Sequence, residues 1–166
     1  MVDIQHRLHH RSHLRQAIYD ESLAAIVISV LIDASLDEVW EAAADLASHA
    51  EWMADAESIV FESETRSGPG TRMRVGTRVG PLRTTDLMEV TEWEERRAIG
   101  VVHRGLVTGA GRFELSPMAT GTRFTWREEL RFPWWLGGPL TAWLARPVLA
   151  WVWRRNLAGL KRLLES

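Results

Sequence analysis

Phe132–Trp153 reads FPWWLGGPLTAWLARPVLAWVW, twenty-two residues whose only charge is Arg146. It runs into Arg154–Ser166, RRNLAGLKRLLES, which is amphipathic. A surface helix carries one apolar stripe and one polar face. The first stretch is instead apolar nearly all round, so it needs a cover of protein, lipid or ligand. Pro139, just after Gly138, suits the first helical position, and the spacing predicts a helix over about 139–164, roughly 39 Å long. Pro147 lacks an N–H and is expected to kink it. The length invites comparison with a membrane span. However, the Gly137-Gly138-Pro139 break leaves fourteen residues before Arg154, and Arg146 lies in their middle, where a charge is costly in lipid.

The chain before this helix supplies an enclosure. Leu23–Ile32 is apolar and β-branched, a strand pattern. Ser35 and Glu38 form a capping-box pair, with Leu36, Val39, Trp40, Ala43 and Leu46 following at helical spacing. A second short helix is expected over Ser48–Ala54. From Glu57 the period changes to two. Strands are expected over Ser58–Glu64, Thr71–Val79, Arg83–Trp93, Ala98–Arg104, Leu106–Ser116 and Gly121–Phe132, separated by turn residues such as Ser67-Gly68-Pro69-Gly70 and Thr120-Gly121. Consecutive short strands imply an antiparallel meander and an α+β fold. A sheet gripping one long helix usually leaves a cavity between them, and function is expected there.

The bulk numbers bound the rest. At 166 residues the chain suits one domain with a substantial core. We divide it into an N-terminal extension, 1–22, and a ligand-binding domain, 23–166. Hydrophobic residues make up 46% and charged residues 25%, ordinary for a soluble globular protein. A net charge of −2 gives no field to recruit nucleic acid. Lys161 is the only lysine beside nineteen arginines, which fits a GC-rich bacterial genome. Without cysteine there is no disulfide framework or thiolate nucleophile, and a cytoplasmic setting is expected. Met1–Glu21 has no apolar core of a secretory signal. His6, His9, His10 and His13 would share a helix face, but Arg7, Arg11 and Arg15 repel a cation there and no further ligand is evident, so neither a metal nor a cofactor is expected.

Five segments resemble a known superfamily in its order: VISVLIDASLDEVWEAAADLASHAEWM, GPGTRMRV, EVTEWEERRAI, GRFELSPMATGTRFTW and NLAGLKRLLES. The chain is similar to the START/birch-pollen-allergen-like (SRPBCC) superfamily, in particular its polyketide cyclase/dehydrase-like branch. The resemblance covers about Ile28–Ser166. It implies a helix-grip fold, a seven-stranded curved antiparallel sheet around a long C-terminal helix, with two short helices after the first strand. It also implies a hydrophobic cavity for lipid, sterol or polyketide-like molecules. It carries over no catalytic residue. The chain departs from many relatives at EWEERR, where proline commonly replaces Glu94 or Glu95.

Strand parity singles out polar residues on inward faces. Phe124, Trp126, Leu130 and Phe132 share a face, and Glu128 belongs to it. If Met88 and Val90 point inward, so do Asp86 and Glu92, although Leu87 and Trp93 argue for the opposite parity. His103 shares a face with Ile99 and Val101. A carboxylate in an apolar interior needs water, a partner or a ligand. The functional reading makes Glu128, His103 and Asp86 polar anchors or acid/base groups; the plainer reading makes them hydrated or arginine-paired structural residues. The expected cavity lining is Phe61, Met73, Val75, Met88, Val90, Phe113, Phe124, Trp126, Glu128, Trp143 and Leu144. Trp134, Trp135 and Trp153 are the expected contacts for a membrane surface or second copy, since Trp151 and Trp153 lie about 200° apart on a helix and cannot face the same way.

Three functions remain open on these residues. The first is binding or transport of a hydrophobic small molecule. The second is a polyketide cyclase, aromatase or dehydratase, and the third is a protein that uses its aromatic C-terminal segment on a membrane or partner.

Overall fold

A computed structural model describes residues 25–166; the histidine-rich stretch and the proposed extension lie outside them. The first strand, β1 (Ile26–Ile32), is followed by helix α1 (Leu36–Ala44), a short 3-10 turn (Leu46–Ser48) and helix α2 (His49–Trp52). Six strands come next: β2 (Ala56–Phe61), β3 (Arg72–Val79), β4 (Leu82–Glu94), β5 (Ala98–Arg104), β6 (Thr108–Pro117) and β7 (Thr122–Arg131). A 3-10 turn (Trp134–Leu136) leads into the terminal helix α3 (Gly138–Leu164). All seven strands form one sheet in the order β1-β7-β6-β5-β4-β3-β2, and every pairing is antiparallel.

Local chemistry fixes the element ends. Ser35 caps α1: its hydroxyl accepts from the Glu38 N–H at 3.3 Å, and Glu38 Oε2 accepts from the Ser35 N–H at 2.8 Å. The Ser35 hydroxyl, which donates to Glu38 Oε2 at 2.6 Å, and then the Ser35 N–H favour the Glu38 carboxylate and lower its pKa. Gly137, in the left-handed region at φ 89°, precedes α3 and lets the chain turn into the helix with Pro139 in its first turn.

The core lies on the concave side of the sheet. Ile28, Ile32, Val90, Ile99, Leu115 and Phe124 come from the strands, Val39, Trp40 and Ala43 from α1, and Val152, Trp153, Leu157 and Leu160 from α3. Strand β4 bears out neither simple parity. Its register with β5 shifts between Val90 and Glu92, a bulge that leaves one extra residue in the strand. Asp86 and Val90 therefore face inward while Glu92 faces out, where it binds the Arg112 guanidinium at 2.9 and 3.2 Å. Trp93 turns inward against Trp40, with ring centroids 5.5 Å apart. The expectation of an inward Glu92 is thus corrected, and the conflict between Leu87, Trp93 and their neighbours is resolved by that bulge.

Helix α3 is only half enclosed. Its C-terminal half carries the buried residues Val152, Trp153, Asn156, Leu157 and Leu160 and packs on β1, with α1, α2 and β7 beside it. Its N-terminal half leaves Leu140, Trp143, Leu144, Val148 and Trp151 exposed.

Candidate functional site

A cavity of about 80 Å³ lies under the sheet. Met73 and Val75 of β3, Met88 of β4, Ile99, Val101 and His103 of β5, Gly111 and Phe113 of β6, and Trp126 and Glu128 of β7 form its strand side. Leu46, His49, Met53 and Ile59 close it from the short-helix segment and β2. The expected position between sheet and long helix needs correction, because no residue of α3 lines this space. The rings of Trp126 and Trp153, 5.7 Å apart, fill the gap between β7 and α3, so the cavity is displaced toward α2.

Of the expected lining, Met73, Val75, Met88, Phe113, Trp126 and Glu128 face the cavity. Val90 and Phe124 do not: both are fully buried in the packed core. Phe61 lies at the end of β2, half-buried, with the Arg66 guanidinium 5.3 Å from its ring centroid. Trp143 and Leu144 sit on the exposed half of α3, 68% and 58% accessible. Trp153, expected on the surface, is 5% exposed because it is the one that packs on Trp126.

The cavity has one polar wall. Glu128 is 4% exposed. Its Oε2 accepts from the Trp126 indole N–H at 2.7 Å, and its Oε1 lies 2.7 Å from His103 Nε2. The second approach is an ion contact rather than an aligned hydrogen bond, so Oε1 and both His103 ring nitrogens retain unsatisfied hydrogen-bonding capacity. Register brings the pair together: Gly111 is the direct neighbour of both Val101 and Glu128. A Cβ at Gly111 would lie 2.6 Å from Glu128 Oε2, so this glycine makes room for the carboxylate. Asp86 lies two residues along β4 from Met88, the cross-strand partner of His103, and is 8% exposed with Oδ1 unsatisfied.

The electrostatics follow from this placement. Burial pushes the His103 pKa down, but the Glu128 charge and contact, with the Asp86 charge behind them, more than offset burial and leave it raised. Burial raises the Asp86 pKa, against the pull of His103 and a backbone hydrogen bond from Leu106. The wall therefore sets an imidazole, its protonated form favoured by Glu128, beside carboxyl groups, so it offers an N–H donor for a carbonyl and an oxygen acceptor for a hydroxyl.

Sequence reasoning misses His49, although His49, Trp52 and Met53 stand at i, i+3 and i+4, the spacing of one helix face. Its Nε2 lies 2.9 Å from the Ala43 carbonyl oxygen. Burial lowers its pKa to about 4, so at neutral pH it is uncharged and donates that bond. Its ring, 4.9 Å from Trp52 and 5.9 Å from Phe113, is part of the aromatic wall. Among the described residues no group of three or more His, Asp or Glu is placed to hold a metal ion, and no helix is long and apolar enough to cross a membrane.

Sheet, short helices and terminal helix together define a helix-grip fold, and comparison with known proteins agrees. The family described as polyketide cyclase/dehydrase and lipid transport matches residues 24–165, and the chain belongs to it. Solved structures share the fold at low identity. The protein TTHA0849 from Thermus thermophilus is 22% identical with a TM-score of 0.70, over 83% of this chain and 94% of its own. A START superfamily protein from Mycobacterium smegmatis is 13% identical with a TM-score of 0.68, over 85% and 97%. The di-domain aromatase/cyclase StfQ of the steffimycin biosynthetic pathway is 14% identical with a TM-score of 0.71; the match covers 91% of this chain and 53% of StfQ. No curated protein matches the sequence.

Proposed function

We propose that this protein binds a hydrophobic small molecule bearing one hydrogen-bonding group, with the apolar body among the methionines and aromatic rings and the polar group on the His103–Glu128 wall. The observation that carries the reading is a buried, incompletely satisfied His–Glu pair facing an otherwise apolar cavity. Such a pair costs folding energy unless something completes it, and pockets of this composition are characteristic of ligand sites. The resting cavity of about 80 Å³ is smaller than the several hundred Å³ usual for such sites. Met53, Met73 and Met88 line it, and unbranched, polarizable methionine side chains readily make room.

An isosteric pair of probes tests this. In titration calorimetry, 2-naphthol should bind about tenfold or more tighter than 2-methylnaphthalene, the margin of a hydrogen bond to a charged group. Glu128→Gln should shrink that margin while leaving 2-methylnaphthalene affinity unchanged. Equal affinities in the parent protein, or no binding of either probe, would overturn the reading.

A second reading is favoured by the same pair. An imidazole beside carboxyl groups in an apolar pocket is suited to general acid–base chemistry, as aldol-type cyclisation of a poly-β-ketone requires. In that case Glu128→Gln should lower turnover about 10²–10⁴-fold with substrate binding largely retained.

A further inference from the structure

The exposed half of α3 forms an apolar surface separate from the cavity. Leu140, Leu144, Val148 and Trp151 recur at intervals of four, four and three, which places them on one face of the helix. All are at least half exposed, at 62%, 58%, 50% and 58%, and Trp143 beside them is 68% exposed. Trp134 and Trp135, 86% and 58% exposed, lie in the turn just before the helix. A contiguous apolar surface of this kind on a folded domain marks a docking site.

Charge identifies the occupant. No aspartate or glutamate occurs between Glu129 and Glu165, whereas Arg131, Arg146, Arg154, Arg155, Lys161 and Arg162 all lie in or beside that segment. Arg155 stands over Trp151, its guanidinium carbon 5.7 Å from the ring centroid, so cation and aromatic face are presented together. The Arg131 side chain is 75% exposed and pairs with Glu129 at 3.0 Å, so the cationic charge of the face rests chiefly on Arg154, Arg155 and Arg162. A cleft of about 610 Å³ opens beside the stripe, with Leu130, Phe132 and Trp143 as apolar walls and Glu129, Arg131 and Arg146 as its charged lining. Two copies joined through this face would bring arginine clusters together with no acid on the segment to answer them. An anionic bilayer answers them directly, and tryptophan is the side chain enriched where headgroups meet hydrocarbon.

We propose that the N-terminal half of α3, with the Trp134–Trp135 turn, docks the protein on the surface of an anionic lipid bilayer. The helix lies in the interface with Trp143, Leu144 and Trp151 among the upper acyl carbons, and the arginines engage phosphates. Among the described residues no helix is long and apolar enough to cross the bilayer. The adjacent cleft accommodates the end of one lipid chain.

Flotation of the full-length protein with vesicles tests the proposal independently of any cavity ligand. Vesicles of phosphatidylcholine with about one-third phosphatidylglycerol should carry the protein, with a blue shift of tryptophan emission, and pure phosphatidylcholine should carry far less. Arg154→Gln/Arg155→Gln should weaken partitioning by about fivefold per arginine removed, and raised salt should have a similar effect. Trp143→Ser/Trp151→Ser should abolish partitioning with an unchanged melting temperature and unchanged 2-naphthol affinity, since both residues are exposed. Failure of the parent protein to bind either vesicle would overturn the proposal, as would full retention of binding in the tryptophan variant. So would a concentration-dependent dimer that the tryptophan variant dissolves and anionic vesicles leave intact.

Discussion

The two halves of α3 share a helix and a composition rich in Trp, Leu, Ala and Arg, yet they do opposite things. From Val152 to Leu160 the helix is gripped. Leu157 and Leu160 are fully buried, and Asn156 donates to Asp55 Oδ1 at 2.6 Å and accepts from the Ala54 N–H at 2.9 Å. From Leu140 to Trp151 one apolar face stays bare, although Leu149 and Ala150 already pack against the core. Hydrophobicity alone therefore did not decide which half became core. Contact with β1, the α2 segment and β7 did, and apart from Gly138 every buried residue of the helix lies in its second half. The apolar surface left over adds little to stability, because its side chains remain in water.

Substitutions sharpen this contrast. Leu157→Ala should cost about 2–5 kcal/mol of unfolding free energy, whereas Leu144→Ala, of the same chemistry nearer the start of the helix, should stay within about 0.5 kcal/mol. Equal losses in urea melts would show that the N-terminal half is also enclosed.

The gripped region also carries a pH signature. His49 is neutral in the fold, with its pKa lowered by burial to about 4, while in the unfolded chain it takes up a proton near 6.5. The unfolded state therefore binds more protons between these values, and stability declines as pH drops through that window, by about 3 kcal/mol in all. His49→Gln should flatten this part of a stability–pH curve. A parent curve that is level across the window would break the assignment.

Gly159 marks where the gripped half approaches most closely. A Cβ there would lie 2.5 Å from the Trp52 carbonyl oxygen, so Gly159→Ala should cost about 1–3 kcal/mol through displacement of α2. A Gly159→Ala protein as stable as the parent would mean that α2 gives way freely.

The smallest effect has the opposite sign to that of His49. The raised His103 pKa means that its contribution is fully present below the unfolded value and is lost as pH rises through the folded one. Gly111→Ala pushes the Glu128 carboxylate away, and the His103 pKa, followed by NMR, should drop. No change would mean that Glu128 does not hold the imidazolium.

Much of this is legible in the chain. The order of elements, the capping box at Ser35, the inward parity of β7 with Glu128 on it, and a terminal helix from about residue 139 all follow from local rules: period, caps and turn residues. These are set by the backbone geometry of each segment and need no partner. Other features need the assembled fold. The bulge before Glu92 is a mismatch between two strands and exists only once β4 pairs with β5. Sequence pattern assigns Trp153 to the surface and Trp143 to the cavity, and the structure buries the first and exposes the second. Helical periodicity fixes the angle between two side chains, but not which side meets a neighbour. The sequence by itself determined a helix-grip domain with an acid on an inward strand face. Only tertiary structure decided that this acid meets His103, that Trp126 and Trp153 close the space toward α3, and that half of the most apolar helix remains bare. Each of these outcomes depends on contacts between residues distant in the chain, which local propensity does not encode.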